Sequence, residues 1–246
     1  MKILLKIAYD GRNYCGWQVQ KNGISIQGEL CRAAQETYHE PVKITGCSRT
    51  DSGVSAKEYF CTLETSANAP RIPFDRLPTA LNVKLPEDLT VFSAEEVSEE
   101  FHPRYSVKNK TYKYVIDNGE YRDPFQKGKA WHLGKPLDES KMDRAAKAFV
   151  GKYDFSAFMA SGSSVTDATR TVMRAEVTRE GSRVIFTVSA DGFLYNMVRI
   201  MTGTLVDVAY GKIKEDEIGD IIDSKDRSRA GMTAPPDGLY LFEVLY

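Results

Sequence analysis

Two short runs in which apolar and polar residues alternate, 42–45 (Val-Lys-Ile-Thr) and 57–63 (Lys-Glu-Tyr-Phe-Cys-Thr-Leu), bracket a polar stretch. A period of two, filled by β-branched and aromatic residues, is strand patterning, so the polar centre is expected to be a loop between two strands. The loop holds Arg49 and Asp51 two positions apart, followed by Ser52 and Gly53. Asp-x-Gly is ordinary turn chemistry, because the carboxylate bonds the backbone two residues on and glycine supplies positive φ. A turn alone would account for Asp51 unless the rest of the chain gives it a task.

The 246-residue chain as a whole reads as mixed α/β. Residues 2–9 form an expected strand closed by the loop-like Tyr9-Asp10-Gly11-Arg12-Asn13. Ser25 precedes a helical stripe of Ile26, Leu30, Ala33, Ala34 and Thr37 and is a suitable N-cap. A short helix is expected over 75–81 and a strand over 89–97. In the second half, residues 110–119 echo residues 2–11 as a strand ending in an Asp/Gly turn. A helix over 138–150 and strands over 170–180 and 183–190 then repeat the earlier order, which fits an internal duplication. Residues 160–164, Ala-Ser-Gly-Ser-Ser, have the composition of a mobile loop.

Hydrophobic content of 42% and charge of 27% are those of a globular protein, long enough for one large or two small domains. The net charge of −1 leaves no global basic footprint, so nucleic-acid binding would have to be local. Cys15, Cys31, Cys47 and Cys61 form no C-x-x-C pair, and His39, His102 and His132 are scattered, so neither metal ligation nor a disulfide framework is expected. The N-terminal apolar run is too short for a signal peptide and no membrane-length segment follows. Reduced thiols in a cytoplasmic protein are the expectation. No cofactor motif is present.

Two further regions stand out. From Phe193 to Val206 the chain reads as an apolar helix in which Arg199 is the only charge. A guanidinium in a helix buried on most sides needs an anionic partner, although a snorkelling arginine beside a groove satisfies the same pattern. Around 101–114 aromatics interleave with bases: Phe101, His102, Arg104, Tyr105, Lys108, Lys110, Tyr112, Lys113 and Tyr114. On a strand this alternation can mean one packed and one solvated face; exposed, it forms a surface for stacking bases and binding phosphates. Tyr114 is assigned to the core, and His102 to a structural role.

Residues 49–56, Arg-Thr-Asp-Ser-Gly-Val-Ser-Ala, resemble the Arg-Thr-Asp-Ala-Gly-Val-His-Ala signature of the TruA family of tRNA pseudouridine synthases. In the same order as in that family come Tyr9-Asp10-Gly11, Gly16-Trp17-Gln18, Ile26-Gln27-Gly28, Leu81-Asn82, Phe101-His102-Pro103-Arg104, Met197-Val198-Arg199 and Ala234-Pro235-Pro236 before Gly238-Leu239-Tyr240-Leu241. The resemblance implies an α/β (α+β) pseudouridine synthase fold. Its two related halves, 1–106 and 107–246, would have antiparallel sheets joined across a central RNA-binding cleft and helices on the outer faces. It implies isomerisation of uridine in the tRNA anticodon stem-loop, without cofactor, by a homodimer. Asp51 would be the essential carboxylate, Arg199 its partner and Tyr112 the residue that stacks on the base. Arg49, Arg104, Lys108, Lys110 and Lys113 would bind RNA, and Leu239 and Leu241 would border the base pocket. Ser55 stands where the family has histidine, a change that could alter which stem-loop fits. The same chemistry on ribosomal RNA, RNA binding without catalysis, and a carboxylate-dependent glycosidase remain alternatives; the last usually needs two carboxylates.

Overall fold

The computed structural model describes every residue except Asn22, Ser163 and Ser164, so part of the expected loop at 160–164 lies outside the described residues. The chain divides into two compact units, Met1–Lys108 with Leu241–Tyr246, and Asn109–Tyr240. The boundary therefore falls two residues beyond 106, and the last six residues pack with the N-terminal unit rather than with the half that precedes them.

The first unit contains β1 (Lys2–Tyr9), α1 (Ile26–Tyr38), β2 (Lys43–Gly46), β3 (Ser55–Glu64), α2 (Leu77–Asn82) and β4 (Leu89–Glu96). Its strands run antiparallel in the order β4-β1-β3-β2. Alternation in β1 buries Ile3, Leu5 and Ile7 completely. Ile26, Leu30, Ala33, Ala34 and Tyr38 form the buried stripe of α1, at the spacing of one helical face. Each fully buried isoleucine or leucine contributes roughly 1.5–3 kcal/mol. The Ser25 hydroxyl accepts the Gly28 N–H at 3.1 Å, as the sequence led one to expect of an N-cap. Asn82 ties α2 to β4 by bonding both the N–H and the carbonyl of Val91, at 2.8 and 2.9 Å.

The second unit contains β5 (Asn109–Asp117), β6 (Trp131–His132), α3 (Glu139–Ala146), β7 (Gly151–Asp154), β8 (Thr169–Glu180), β9 (Arg183–Ala190), α4 (Met197–Ala209) and α5 (Ile218–Ser224). The last strand, β10 (Leu239–Leu245), begins in this unit and ends in the first. The order is β5-β9-β8-β7, antiparallel throughout, with β6 parallel to β5. Apart from the short β6 and β7 of the second, both units repeat one topology: strand, helix, two strands, with the second of the two inserted between the others, β3 between β1 and β2 and β9 between β5 and β8. The echo between residues 2–11 and 110–119 corresponds to this repeat.

The apolar helix starts at Met197 rather than Phe193, because Asn196 takes a left-handed conformation, φ 60°, and the preceding residues form a turn. Ten of its thirteen residues are buried. Thr202 and Thr204 satisfy their hydroxyls on carbonyls one turn back, at 2.8 Å each, which lets polar side chains sit inside. No helix among the described residues is long and apolar enough to cross a membrane.

Candidate functional site

The loop between β2 and β3 is held by the segment that follows β1. The Trp17 N–H donates to the Thr50 carbonyl at 3.2 Å, and the Tyr9 and Thr50 hydroxyls are 2.9 Å apart. The Gly53 N–H and the Ser52 hydroxyl both donate to the Tyr14 carbonyl, at 3.3 and 3.2 Å. The Val54 N–H closes the turn on the Asp51 carbonyl at 3.1 Å, with Gly53 at φ 82°. Asp-Ser-Gly is therefore a turn in the ordinary sense, and it presents a half-buried Asp51 from a fixed backbone.

Close approach explains the glycines of this region. A Cβ on Gly11 would lie 2.0 Å from the Val54 carbonyl oxygen, and one on Gly16, which has φ 102°, would lie 2.4 Å from that of Thr50. Trp17 is 3% exposed and stacks on Tyr59 with ring centroids 4.3 Å apart, so it is scaffold. Tyr59 donates its hydroxyl to the Ser48 carbonyl, and burial pushes its pKa far above the ordinary tyrosine value. In the sequence these buttresses show only as two glycines in a polar loop beside aromatics, of which Trp17 is a scaffold candidate.

Ser55, which with Ser52 departs from the family signature, is buried and accepts the Gly11 N–H at 3.0 Å. Its hydroxyl ties the loop to the segment that follows β1. Arg49 is exposed and, with Arg104, lines a cavity of about 260 Å³. His102 accepts the Arg104 N–H on Nδ1 at 3.1 Å, in keeping with a structural role.

In the second unit, Arg199 projects from the first turn of α4. Its Nε donates to the Ala234 carbonyl at 2.8 Å and its Nη1 to the Asn196 side chain at 2.7 Å. The Ala234 N–H returns a bond to the Arg199 carbonyl at 3.1 Å. Two widely separated motifs, Met197-Val198-Arg199 and Ala234-Pro235-Pro236, are thereby joined, and the guanidinium is oriented rather than snorkelling. Tyr112 is 6% exposed and meets Phe193 edge to face at 4.9 Å. Tyr114 is fully buried and donates to the Pro235 carbonyl at 2.7 Å; burial, against the pull of the Arg199 charge, raises its pKa well above the usual value.

The expected basic surface on β5 needs correction. Lys110 is 7% exposed, on the same face as Tyr112 and Tyr114, so it is no part of an exposed patch; Lys108 is exposed and Lys113 half-buried. Leu239 and Leu241 are 6% and 0% exposed, both on the inward face of β10. Leu239 belongs to the second unit and Leu241 to the first. All four cysteines are free thiols, and burial raises the pKa of Cys61 well above the ordinary thiol value. Among the described residues no cluster of His, Cys, Asp and Glu could hold a metal ion.

A family model described as tRNA pseudouridine synthase matches residues 145–246. Over 244 residues, 99% of both chains, the sequence is 46% identical to tRNA pseudouridine synthase A of Thermoanaerobacter sp. (strain X514). It is 45% identical, over the same share of both chains, to tRNA pseudouridine synthase A of Acetivibrio thermocellus. Of solved structures, a chain of a Cbf5-Nop10-Gar1 complex aligns over 97% of this chain and 57% of its own length, with 15% identity and a TM-score of 0.39, a likeness too slight to carry an argument. The full-length identities do carry one: the chain belongs to the tRNA pseudouridine synthase A family.

Proposed function

We propose that this protein isomerises uridine to pseudouridine in the anticodon stem-loop of tRNA, with Asp51 as the essential carboxylate. In the reaction the bond from the ribose C1′ to N1 breaks, the uracil turns, and a bond from C1′ to C5 forms. N1 gains a proton and C5 loses one, so the balance needs no oxidant, reductant or energy source. A carboxylate held beside the ribose stabilises the positive charge that develops on the sugar. The observation that carries the reading is Asp51 itself: its turn is fixed by Tyr9, Tyr14 and Trp17 while its side chain stays half-buried. Such a fixed backbone is what an electrostatic or nucleophilic role requires. Arg199 and Tyr112 take the roles their motifs imply, and Arg49 takes part in extruding the nucleotide.

The test follows from the C5 proton. RNA carrying tritium at uracil C5 releases it only when pseudouridine forms. Asp51→Asn preserves shape and removes the charge, so tritium release should vanish while RNA affinity stays within about threefold. Appreciable turnover by the pure variant removes Asp51 from the role. Deleting the gene and mapping pseudouridine addresses the substrate: anticodon-arm sites that persist while a ribosomal site disappears would refute the tRNA assignment. The family likeness also implies a homodimer at work in the cytoplasm; light scattering should give twice the 27.6 kDa chain mass.

A further inference from the structure

The cavity beside the loop has a composition the reaction does not need. Its wall includes Trp17, Gln18, Arg49, His102, Arg104 and Tyr105, but neither Asp51 nor any other carboxylate. Two arginines of this unit are neutralised, Arg12 by Asp10 at 2.6 Å and Arg32 by Glu29 at 2.7 Å, while Arg71 and Arg76 lie outside the cavity wall. Arg49 and Arg104 have no carboxylate partner among the described residues, although both are exposed. Two guanidiniums facing one concavity without a counter-charge favour an anion.

The cavity also has an aromatic platform. Tyr105 is 77% exposed, backed by the His102 ring at 4.4 Å and flanked by the Arg104 guanidinium 5.9 Å from its centroid. A large ring held in this way and left in water is a stacking surface without its partner. Gln27 spends its amide on the Ile44 carbonyl and the Val19 N–H, at 2.9 and 3.1 Å. Gln18 is exposed, and its amide has no partner among the described residues. About 260 Å³ is below the ~300–1,000 Å³ of typical small-molecule sites and suits one nucleotide rather than a large cofactor.

We infer that this cavity takes one unstacked nucleotide of the RNA, a neighbour of the uridine that is isomerised. Its base stacks on Tyr105, its phosphate lies between Arg49 and Arg104, and the Gln18 amide reads the base edge. The inference rests on the proposed action on RNA. It adds a source of sequence preference outside the reacting base. Arg49 is two residues from Asp51, at most about 7 Å of extended chain, so occupancy of the cavity is coupled to the turn that carries the carboxylate.

A protein–RNA double-mutant cycle tests it. Wild type, Tyr105→Ala, Tyr105→Phe, Gln18→Ala and Arg104→Ala would be assayed on an anticodon stem-loop and on versions lacking the base at one loop position at a time. Both tritium release and affinity by fluorescence anisotropy would be read. Base stacking is worth roughly 1–3 kcal/mol, about 5- to 150-fold. Tyr105→Ala should weaken binding about tenfold and leave kcat within about threefold, and Tyr105→Phe should restore affinity. At one position, removing the base should weaken wild type equally and cost Tyr105→Ala nothing more. Gln18→Ala should change the base preferred at that position. Independent penalties at every position would overturn the inference. So would weakening by Arg104→Ala with none by Tyr105→Ala, which makes the cavity a phosphate clamp. An inactive wild type that still shows the Tyr105 coupling in anisotropy would refute the isomerase reading and leave the cavity assignment standing.

Discussion

Replacing Gly16 by alanine tests whether the backbone of the Asp51 turn is held from outside. Gly16 has φ 102°, and an added Cβ would come 2.4 Å from the Thr50 oxygen, 3.1 Å from the Asp51 carbonyl carbon and 3.2 Å from the Ser52 nitrogen. Ordinary contact begins at 3.4 Å, so the Thr50 carbonyl must retreat by the difference, about 1 Å. Left-handed backbone costs alanine about 1–2 kcal/mol. Thr50 is tied to Tyr9 and Trp17, so the displacement spreads to the turn instead of ending at one atom. A misplacement of ~1 Å at a catalytic group costs about 100-fold, or ~2.7 kcal/mol of barrier. Tritium release from C5-labelled tRNA should fall by that factor in protein that remains folded by circular dichroism. Gly219→Ala is the control: it lies in α5, its Cβ would meet nothing within 4 Å, and it should be active and slightly more stable. Wild-type turnover and stability in Gly16→Ala would refute the argument that this contact sets the position of Asp51.

Arg199→Met should lose most activity and about 1.5–3 kcal/mol of stability by denaturant titration, since it gives up bonds to Ala234 and Asn196; an equally stable, active variant would reduce those bonds to decoration. Tyr112→Phe keeps the edge-to-face contact with Phe193 and removes only the hydroxyl, so turnover should drop more than RNA affinity, and unchanged turnover would leave the ring alone with a role. Asp143 is partly desolvated, which raises its pKa, but the Lys147 ammonium and the Val177 N–H outweigh this and hold it below the ordinary value. Its contribution is therefore complete above the unfolded aspartate pKa of about 3.9 and is lost as pH falls through the lower folded value. Asp143→Ala should cost about 1–3 kcal/mol near neutral pH, and the difference from wild type should shrink below pH ~4; a constant difference would point to packing rather than charge.

The strands over 2–9, 42–45, 57–63, 89–97, 170–180 and 183–190 were legible because each buries one face, and a period of two is visible wherever one side is wet. Helix α1 was legible for the same reason at a period of 3.6, down to its Ser25 cap. The short β6 and β7 were not. With only two and four residues, and neither strand carrying a fully buried side chain, they leave no periodic signal. The start of α4 was misplaced because Phe193 and Leu194 continue the apolar pattern, while the break is made by the conformation of one residue, Asn196.

The order of the motifs pointed to the family, and Asp51 stood out only through its place in the signature that carries the resemblance, because Asp-Ser-Gly by itself reads as a turn. Sequence alone could not decide which residues hold it. Tyr9, Gly11, Tyr14, Gly16 and Trp17 lie 34 to 42 positions away, and apart from the Tyr9 hydroxyl they act through backbone groups and empty volume, neither of which has a residue signature. The same limit explains Lys110, whose charge suggested solvent although its register on β5 put it on the buried face with Tyr112 and Tyr114. Composition tells what a side chain can do, but its surroundings decide whether it can reach a ligand, and those are set only when distant segments pack together.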